Sequence, residues 1–598
     1  MENNRNFILA MALSVAVLVG WQFFVINPRV DQQQAQVTAP EGSLQAPTVP
    51  AGQPQDTGFL PAGPESVPLP GEGPDPAAQQ AAAAETPRVP IDTPQLTGSI
   101  NLQGARLDDL SLKGYRETVD DDSPMIVLLS PEQNADGYFA EFGYSGQNVG
   151  DLPGPATRWE AAEGQTLTPQ TPVQLTYTNP QGITFEREVS VDANYMFTVT
   201  DSVINGGASA VTLSPYGRVI RFSKPEVAAA FVVFEGLIGV LGEDGLNELS
   251  YSSIEDDGRV SPAPANTGWL GITDKYWATA LVPDGSAGNF QPNFRYSGEG
   301  RAFYQSDYLS QAVTIEPGAQ TDVTSRVFAG AKVVGLIQSY EDDLGIYRFS
   351  QLIDWGWFHF LTRPMFYAID WFFMLTGNFG ISILLVTVLV KLIFFPLANK
   401  SYKSMANMKR VQPRLMELRE KYGDDRMKQQ QEMMKIYKEE KINPAAGCWP
   451  VLVQIPVFFA LYKVLYVTIE MRHAPFFGWI QDLAAPDPTS IFNLFGLIPI
   501  DLPMFLMIGV WPILMGITMF VQMKLNPLPP DPTQQMIFTW MPVIFTFMLA
   551  TFPAGLVIYW TWNNFLSIIQ QSVIMKRHGA KIELWDNLRA MFRREKKA

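Results

Sequence analysis

Apolar positions in this chain come in two patterns: long unbroken runs and short alternating ones. Phe7 to Ile26 is a 20-residue apolar run, long enough to cross a bilayer at ~1.5 Å per residue. Five more such runs lie at Phe379–Leu397, Cys448–Ile469, Leu502–Val521, Ile537–Phe552 and Leu556–Met575. Together they predict six spans. The fourth is loosened by Gly509, Pro512 and Gly516, and Pro553-Ala554-Gly555 turns the chain between the last two. Ile491 to Ile500 is too short to span; it fits a re-entrant or interfacial piece, or an early start to the fourth span. The first run ends in Trp21-Gln22-Phe23-Phe24, with no small-residue cleavage site. Residues 1–27 therefore read as an uncleaved anchor.

The rest of the chain divides by pattern. Pro28 to Gln95 holds 14 of the 46 prolines in 68 residues, with Gln and Ala runs. Residues 28–95 therefore predict a disordered tether. From Leu96 to about Ala331, period-two alternation recurs in short runs such as Val173–Thr178, Ile183–Val191 and Tyr195–Ile204, bounded by Gly, Pro, Asn and Asp. This predicts an all-β sandwich domain over 96–338. Residues 339–376 crowd aromatics around Asp354, Arg363 and Asp370, which predicts an amphipathic helix at the outer interface. A seventh span is the competing reading there, disfavoured by the charges and Pro364.

Asn399 to Tyr422 places Met405, Met408, Val411, Leu415 and Leu418 at helical steps. Gly423-Asp424-Asp425 breaks that helix, and Arg426 to Glu440 forms a second one with Met427, Met433 and Met434. Residues 399–443 thus predict an antiparallel helical hairpin. A methionine face of this kind serves either as core or as an adaptable binding surface.

Charge orients these parts. From Pro28 to Gly345 there are 16 Lys/Arg and 41 Asp/Glu, a net of −25; the remainder carries 27 and 18, a net of +9. Basic segments beside apolar spans mark the cytoplasmic side. The hairpin and the tail 576–598 are both basic, so both termini are expected in the cytoplasm and the acidic domain outside. The overall net of −16 argues against a nucleic-acid-binding protein as a whole, though not for the tail. One cysteine and three scattered histidines exclude an internal disulfide and give no metal centre. No nucleophile–base pair, paired catalytic carboxylates or phosphate loop stands out. No catalytic residue, metal or cofactor is expected.

One stretch is more specific. Asn443-Pro444-Ala445-Ala446-Gly447-Cys448-Trp449-Pro450 is followed by Gln454-Ile455-Pro456-Val457-Phe458-Phe459-Ala460-Leu461-Tyr462. This pattern resembles the bacterial YidC membrane-protein insertase family. So do Met541-Pro542-Val543-Ile544-Phe545, Phe552-Pro553-Ala554-Gly555-Leu556 and, in the alternating domain, Gly268-Trp269-Leu270. The resemblance covers everything but the tether. It implies a polytopic α-helical membrane protein: six spans, five forming an insertase core (377–575) with a cytoplasmic hairpin. A periplasmic supersandwich-like β-domain would complete it, in the inner membrane of a Gram-negative bacterium. It also implies a function: inserting and folding nascent membrane proteins, alone or with the Sec translocon. The implied device is a polar groove in the inner leaflet with a positive residue.

That residue corresponds to Lys391, where an arginine stands in the best-known members. A charge inside a span costs on the order of 2.5–3.5 kcal/mol and needs a reason. Lys391 lies about six residues from the inner end of its span, ~9 Å deep. Its residue pattern alone fits a snorkelling lysine as well as a groove cation; the resemblance favours the groove. Lysine keeps the charge but loses the planar fork of arginine. Further candidate groove residues are Thr387, one turn before it, Gln454, Thr539, Thr546, Tyr559, Trp560 and Asn563. Met405, Met408, Met427, Met433 and Met434 are candidate substrate contacts on the hairpin. Lys576, Arg577, Arg593 and Arg594 are candidates for ribosome or lipid contact, and a signal-recognition receptor is a further expected partner. The rival reading is a solute transporter or channel with a periplasmic ligand-binding domain. Against it stand the scarcity of intramembrane charges and the absence of a visible repeat pair.

Overall fold

The computed structural model describes residues 86–147, 150–225, 233–285, 288–423, 425–440, 449–496, 498, 506–526 and 532–578. The first expected span, almost all of the tether and most of the basic tail lie outside them.

The alternating region folds as expected into two antiparallel sheets, of ten and nine strands among the described residues. In the first, Tyr138–Gln147 and Val211–Arg221 pair through ten consecutive registers. In the second, Met196–Asn205 is the clearest case of alternation, with every other side chain from Phe197 onward buried. Phe185, Phe197, Trp269, Phe294 and Phe328 fill the core. The first strand, Arg88–Asp92, corrects the tether boundary of 95. Its Pro90 suits an edge strand, because proline donates nothing to a ladder, and the strand is indeed at the sheet edge.

Charged residues are also buried here. Glu141 takes Arg106 Nε at 2.6 Å and Arg218 Nη2 at 3.0 Å, with all three inside the domain. Arg187 binds Asp201 through two nitrogens at 2.7 Å each. Its Nη1 also donates to the carbonyl of Phe142 at 3.1 Å, and the Tyr144 hydroxyl donates to Asp201 at 2.8 Å. Phe142 and Tyr144 belong to the other sheet, so this pair ties the two layers.

A short helix, α1 (Tyr251–Asp257), decorates the sandwich. Then follow α2 (Val334–Asp343), α3 (His359–Thr376), α4 (Phe379–Ile393), α5 (Phe395–Lys421), α6 (Arg426–Glu439), α7 (Trp449–Val467), α8 (Val510–Leu525), α9 (Pro532–Leu549) and α10 (Ala554–Arg577). Among the described residues no single helix is both long and apolar enough to cross a membrane; α4 and α5 pass together, bent by 68°. The bend falls at Phe394-Phe395-Pro396. Proline lacks the N–H a continuing helix needs and suits a first turn, which is where Pro396 sits.

The expected interfacial helix over 339–376 is corrected into separate pieces. Tyr340, on α2, belongs to the sandwich: its hydroxyl donates to Asp192 at 2.5 Å and accepts from the Tyr195 N–H at 3.2 Å. Only α3 has the amphipathic form. It buries Thr362, Met365, Phe366 and Ile369 and exposes Phe360, Tyr367, Trp371, Met374 and Leu375. The fourth expected span also moves, since its helix starts at Val510 instead of Leu502. Of the ambiguous piece Ile491–Ile500, Ile491–Gly496 is a kinked 3-10 turn with Leu494 and Phe495 at positive φ.

The start of α8 is held by Asp487. Its carboxylate accepts from Trp479 Nε1 at 3.1 Å, the Thr489 N–H at 3.0 Å, the Thr489 hydroxyl at 2.7 Å and the Trp511 N–H at 2.9 Å. Asp487→Ala is expected to cost about 2 kcal/mol, because buried donors lose their acceptor. Thermal unfolding of the full chain measures it; an unchanged midpoint would show that the cap adds nothing.

Candidate functional site

The helices α4, α5, α7, α8 and α10 surround a solvent-open hollow with about 800 Å³ of empty space, open solvent included. Lys391 reaches it from the last turn of α4. Its ammonium donates to the Ser567 hydroxyl at 2.7 Å, and that hydroxyl donates on to the Asn563 carbonyl at 2.7 Å. Gln454, Tyr559, Asn563, Gln522, Asn526, Gln570 and Gln571 add polar atoms to the walls, and Val390, Phe394, Leu397 and Val457 add apolar ones. Gln571 Nε2 donates to Asn526 Oδ1 at 2.9 Å. Among the described residues no carboxylate lines the space. Its described lining is amide- and hydroxyl-rich, with a single positive charge.

A second lysine gives the contrast. Lys463 is buried on α7, and its ammonium meets Asp354 Oδ2 at 2.5 Å. Asp354 also accepts the N–H groups of Phe234 and Gly356 at 2.9 and 3.0 Å. A buried charge with a hydrogen-bonded counter-ion is a structural joint. Among the described residues Lys391 has a neutral hydroxyl partner and no counter-ion within salt-bridge distance, so its field stays available to a ligand.

Similarity to known proteins can be set beside this geometry. Residues 88–368 match the description "YidC periplasmic domain", and residues 371–581 match "60Kd inner membrane protein". A membrane protein insertase YidC from Rhizobium meliloti (strain 1021) is 59% identical over 599 residues, covering 100% of both chains. One from Brucella suis biovar 1 is 60% identical over 609 residues, covering 100% of this chain and 99% of that one. The chain belongs to the YidC family of membrane-protein insertases. The crystal structure of an active YidC insertase with its first transmembrane domain resolved is 18% identical. It covers 82% of this chain and 96% of that one, at a TM-score of 0.35. The relatives named here are insertases, and nothing in them favours the transporter reading.

Within this YidC-family chain, the groove candidates separate. Lys391, Gln454, Tyr559 and Asn563 share the cavity wall. Thr387 is buried and its hydroxyl donates back to the Ile383 carbonyl at 2.7 Å. Thr539 and Thr546 do the same to Gln535 and Pro542 at 2.7 and 2.8 Å. Trp560 packs its ring against Phe458 and Phe545. These four are not among the cavity's lining residues, and each is occupied by its own helix or by packing. Sequence reading missed Ser567, Gln522, Asn526, Gln570 and Gln571. The signal was present for Ser567 and Gln571, which continue the i, i+4 series from Tyr559 and Asn563 along α10.

The hairpin methionines also divide. Met405 lines the cavity beside Tyr402 and Ile574. Met408 and Met433 pack against Val411 and Tyr437 inside the hairpin. Only Met427 and Met434 are exposed. Lys576 and Arg577 are exposed at the end of α10, and Arg593 and Arg594 lie outside the described residues.

The sandwich and the helical region meet at Glu470, in the turn just past α7. One carboxylate oxygen accepts the Val334 N–H at 2.7 Å, which supplies the cap that α2 otherwise lacks. The other is buried without a hydrogen-bond partner among the described residues. Burial, with a smaller contribution from Asp370, pushes Glu470 up to about 7. Because the folded carboxyl holds its proton more tightly than the unfolded one, stability is greatest below the unfolded value. It falls as pH rises towards about 7 and levels off above it. The loss is on the order of 2 kcal/mol, allowing for partial solvent screening. Glu470→Gln is expected to flatten this dependence in thermal melts between pH 5 and 8. A variant that keeps the wild-type slope would assign the effect elsewhere.

Proposed function

We propose that the hollow around Lys391 is the groove through which this insertase handles the polar part of a nascent membrane protein. The observation that carries the reading is an ammonium partnered by a hydroxyl in a polar hollow whose described lining holds no carboxylate. Water and amide groups there shorten the apolar distance a substrate loop crosses. Lys391 attracts acidic substrate ends. Burial of the substrate's own span in lipid supplies the downhill step, and the membrane potential adds about 2.3 kcal/mol per 100 mV for each acidic charge moved outwards. Met405, on the wall of the hollow, and exposed Met427 and Met434 offer adaptable apolar contacts.

The supporting topology has six spans, both termini cytoplasmic and the β-domain periplasmic, in the inner membrane. Work beside the Sec translocon, a signal-recognition receptor and the ribosome belongs to the same reading. Lys576, Arg577, Arg593 and Arg594 would meet ribosomal RNA or anionic lipid. A chain ending at Met575 should then lose salt-sensitive cosedimentation with ribosomes; retained binding would remove the tail from the reading.

Site-specific photocrosslinking tests the groove. A photoreactive residue at Gln454 or Gln570 should capture a stalled single-span nascent chain, while one at Thr539, outside the hollow, should not. Equal capture at all three would overturn the assignment.

A further inference from the structure

A second hollow, with about 910 Å³ of empty space counting open solvent, lies at the seam between the sandwich and the turn after α7. Its walls come from the end of strand Arg106–Arg116 and the segment that follows it, and from residues 472–481. Lys113, Arg116, Arg472 and His473 line it, and among the described residues no carboxylate does. Among the described residues Arg472 donates through one nitrogen: Nη2 bonds the carbonyls of Arg116 and Glu117 at 2.6 and 3.2 Å. Its guanidinium lies over Trp277 at 5.3 Å and Tyr276 at 5.9 Å, which fixes the plane of the fork. Arg116 donates to the Ser123 carbonyl at 2.6 Å. Neither arginine appears in a salt bridge among the described residues.

The nearby carboxylates are engaged or sit outside these walls. Asp92 holds Lys113. Asp482 Oδ1 accepts the His473 and Ala484 N–H groups at 3.2 and 2.7 Å. Glu117 and Asp120 to Asp122 are exposed beyond the lining. His473 stands at φ +56°, a conformation that costs a non-glycine residue energy and recurs where a side chain must be aimed. Burial lowers the pKa of the Arg472 guanidinium and the nearby Asp482 charge offsets only part of that, so an added anion would reduce the cost that remains.

We propose that this seam binds a phosphate group, with Arg472 and Arg116 as its forked donors and Lys113 and His473 beside them. Guanidinium forks match phosphate oxygens bidentately, which is why arginine is over-represented where phosphate is recognised. Two sources share this chemistry: a phospholipid headgroup and free phosphate. The same turn exposes Phe477 and Trp479, residues that favour a membrane–water interface, so the headgroup is the expected source.

Native mass spectrometry of the full chain in detergent micelles separates the cases. Micelles doped with dioleoyl phosphatidylglycerol should yield one retained lipid adduct. Doping with dioleoylglycerol, which lacks the phosphate, should yield none. Arg472→Gln and Arg116→Gln should each weaken the adduct about tenfold or more. Arg116 is exposed, so its variant tests the site even if Arg472→Gln perturbs the turn. A parallel titration with inorganic phosphate, read by phosphorus NMR line width, identifies the solution source: broadening in wild type that is lost in both variants supports a free-phosphate site. Equal binding of each ligand by wild type and both variants overturns the proposal, and so does an equal adduct with dioleoylglycerol.

Discussion

Lys391→Ala is expected to slow insertion of a single-span, acidic-tailed substrate at least tenfold, a loss of about 1.4 kcal/mol or more, while Lys391→Arg stays near wild type. Among the described residues the ammonium is the only charge on the wall of the hollow. Without it, the remaining amides and hydroxyls offer hydration but no net attraction. The fold should tolerate the change, because Ser567 keeps its bond to the Asn563 carbonyl at 2.7 Å and the site already opens to solvent. Arginine retains the charge and is long enough to reach Ser567. The comparison is made in proteoliposomes with purified protein, substrate and no nucleotide, and again by growth of cells depleted of their own insertase. Insertion as fast with alanine as with arginine would mean that the charge is not needed. Lys463→Met is the control. It removes the ion pair with Asp354 at 2.5 Å, so it should lower thermal stability without a specific dependence on substrate charge.

The parts of the fold that follow from one-dimensional periodicity were legible in the sequence. The apolar runs mark the helices, and period-two alternation marks the sandwich strands. The groove was legible only in part, because its walls depend on where helices bend and which faces meet. Lys391 and Tyr559 stand out as polar groups in apolar runs. Leu397, Ala398 and Tyr402 reach the hollow only because the chain turns by 68° before α5. Gln522 and Asn526 lie at or beyond the expected end of the fourth span, and enter because α8 runs on to Leu525. Thr387 shows the opposite error. It is one turn from Lys391, yet the cavity wall on α4 begins at Val390, and the threonine is spent on its own helix. Lys463 escaped notice because its partner Asp354 is 109 residues away, a pairing that no local pattern announces.

The buried charges of the sandwich were hidden for a related reason: in an alternating strand, a charged residue reads as solvent-facing. Their removal should have the largest effect on stability. Glu141→Ala is expected to destabilise the β-domain by about 3–5 kcal/mol. Glu141 is 1% exposed and Arg218 0%. Burial alone would push the Glu141 carboxyl up, but Arg218 and Arg106 overcome it and hold the group below the usual carboxylate range. The Tyr216 hydroxyl adds a donor at 3.1 Å. Removing the one carboxylate between two guanidiniums leaves like charges facing each other in a medium that cannot solvate them; Arg106 retains Glu132 at 2.6 Å. Replacing the charges together, as in Glu141→Leu with Arg218→Met, should recover much of the loss, because the desolvation cost disappears along with the attraction. The pH dependence carries the opposite sign to that of Glu470. A depressed carboxyl contributes stability above its unfolded value, and that contribution is lost as pH falls through the folded one. Thermal melts of the full chain between pH 3 and 7 should therefore show a stabilising rise with pH that Glu141→Ala lacks. If the alanine variant melts within about 1 kcal/mol of wild type, the triad is not the anchor of this domain. If the double replacement is no better than the single one, desolvation is not what the pair overcomes.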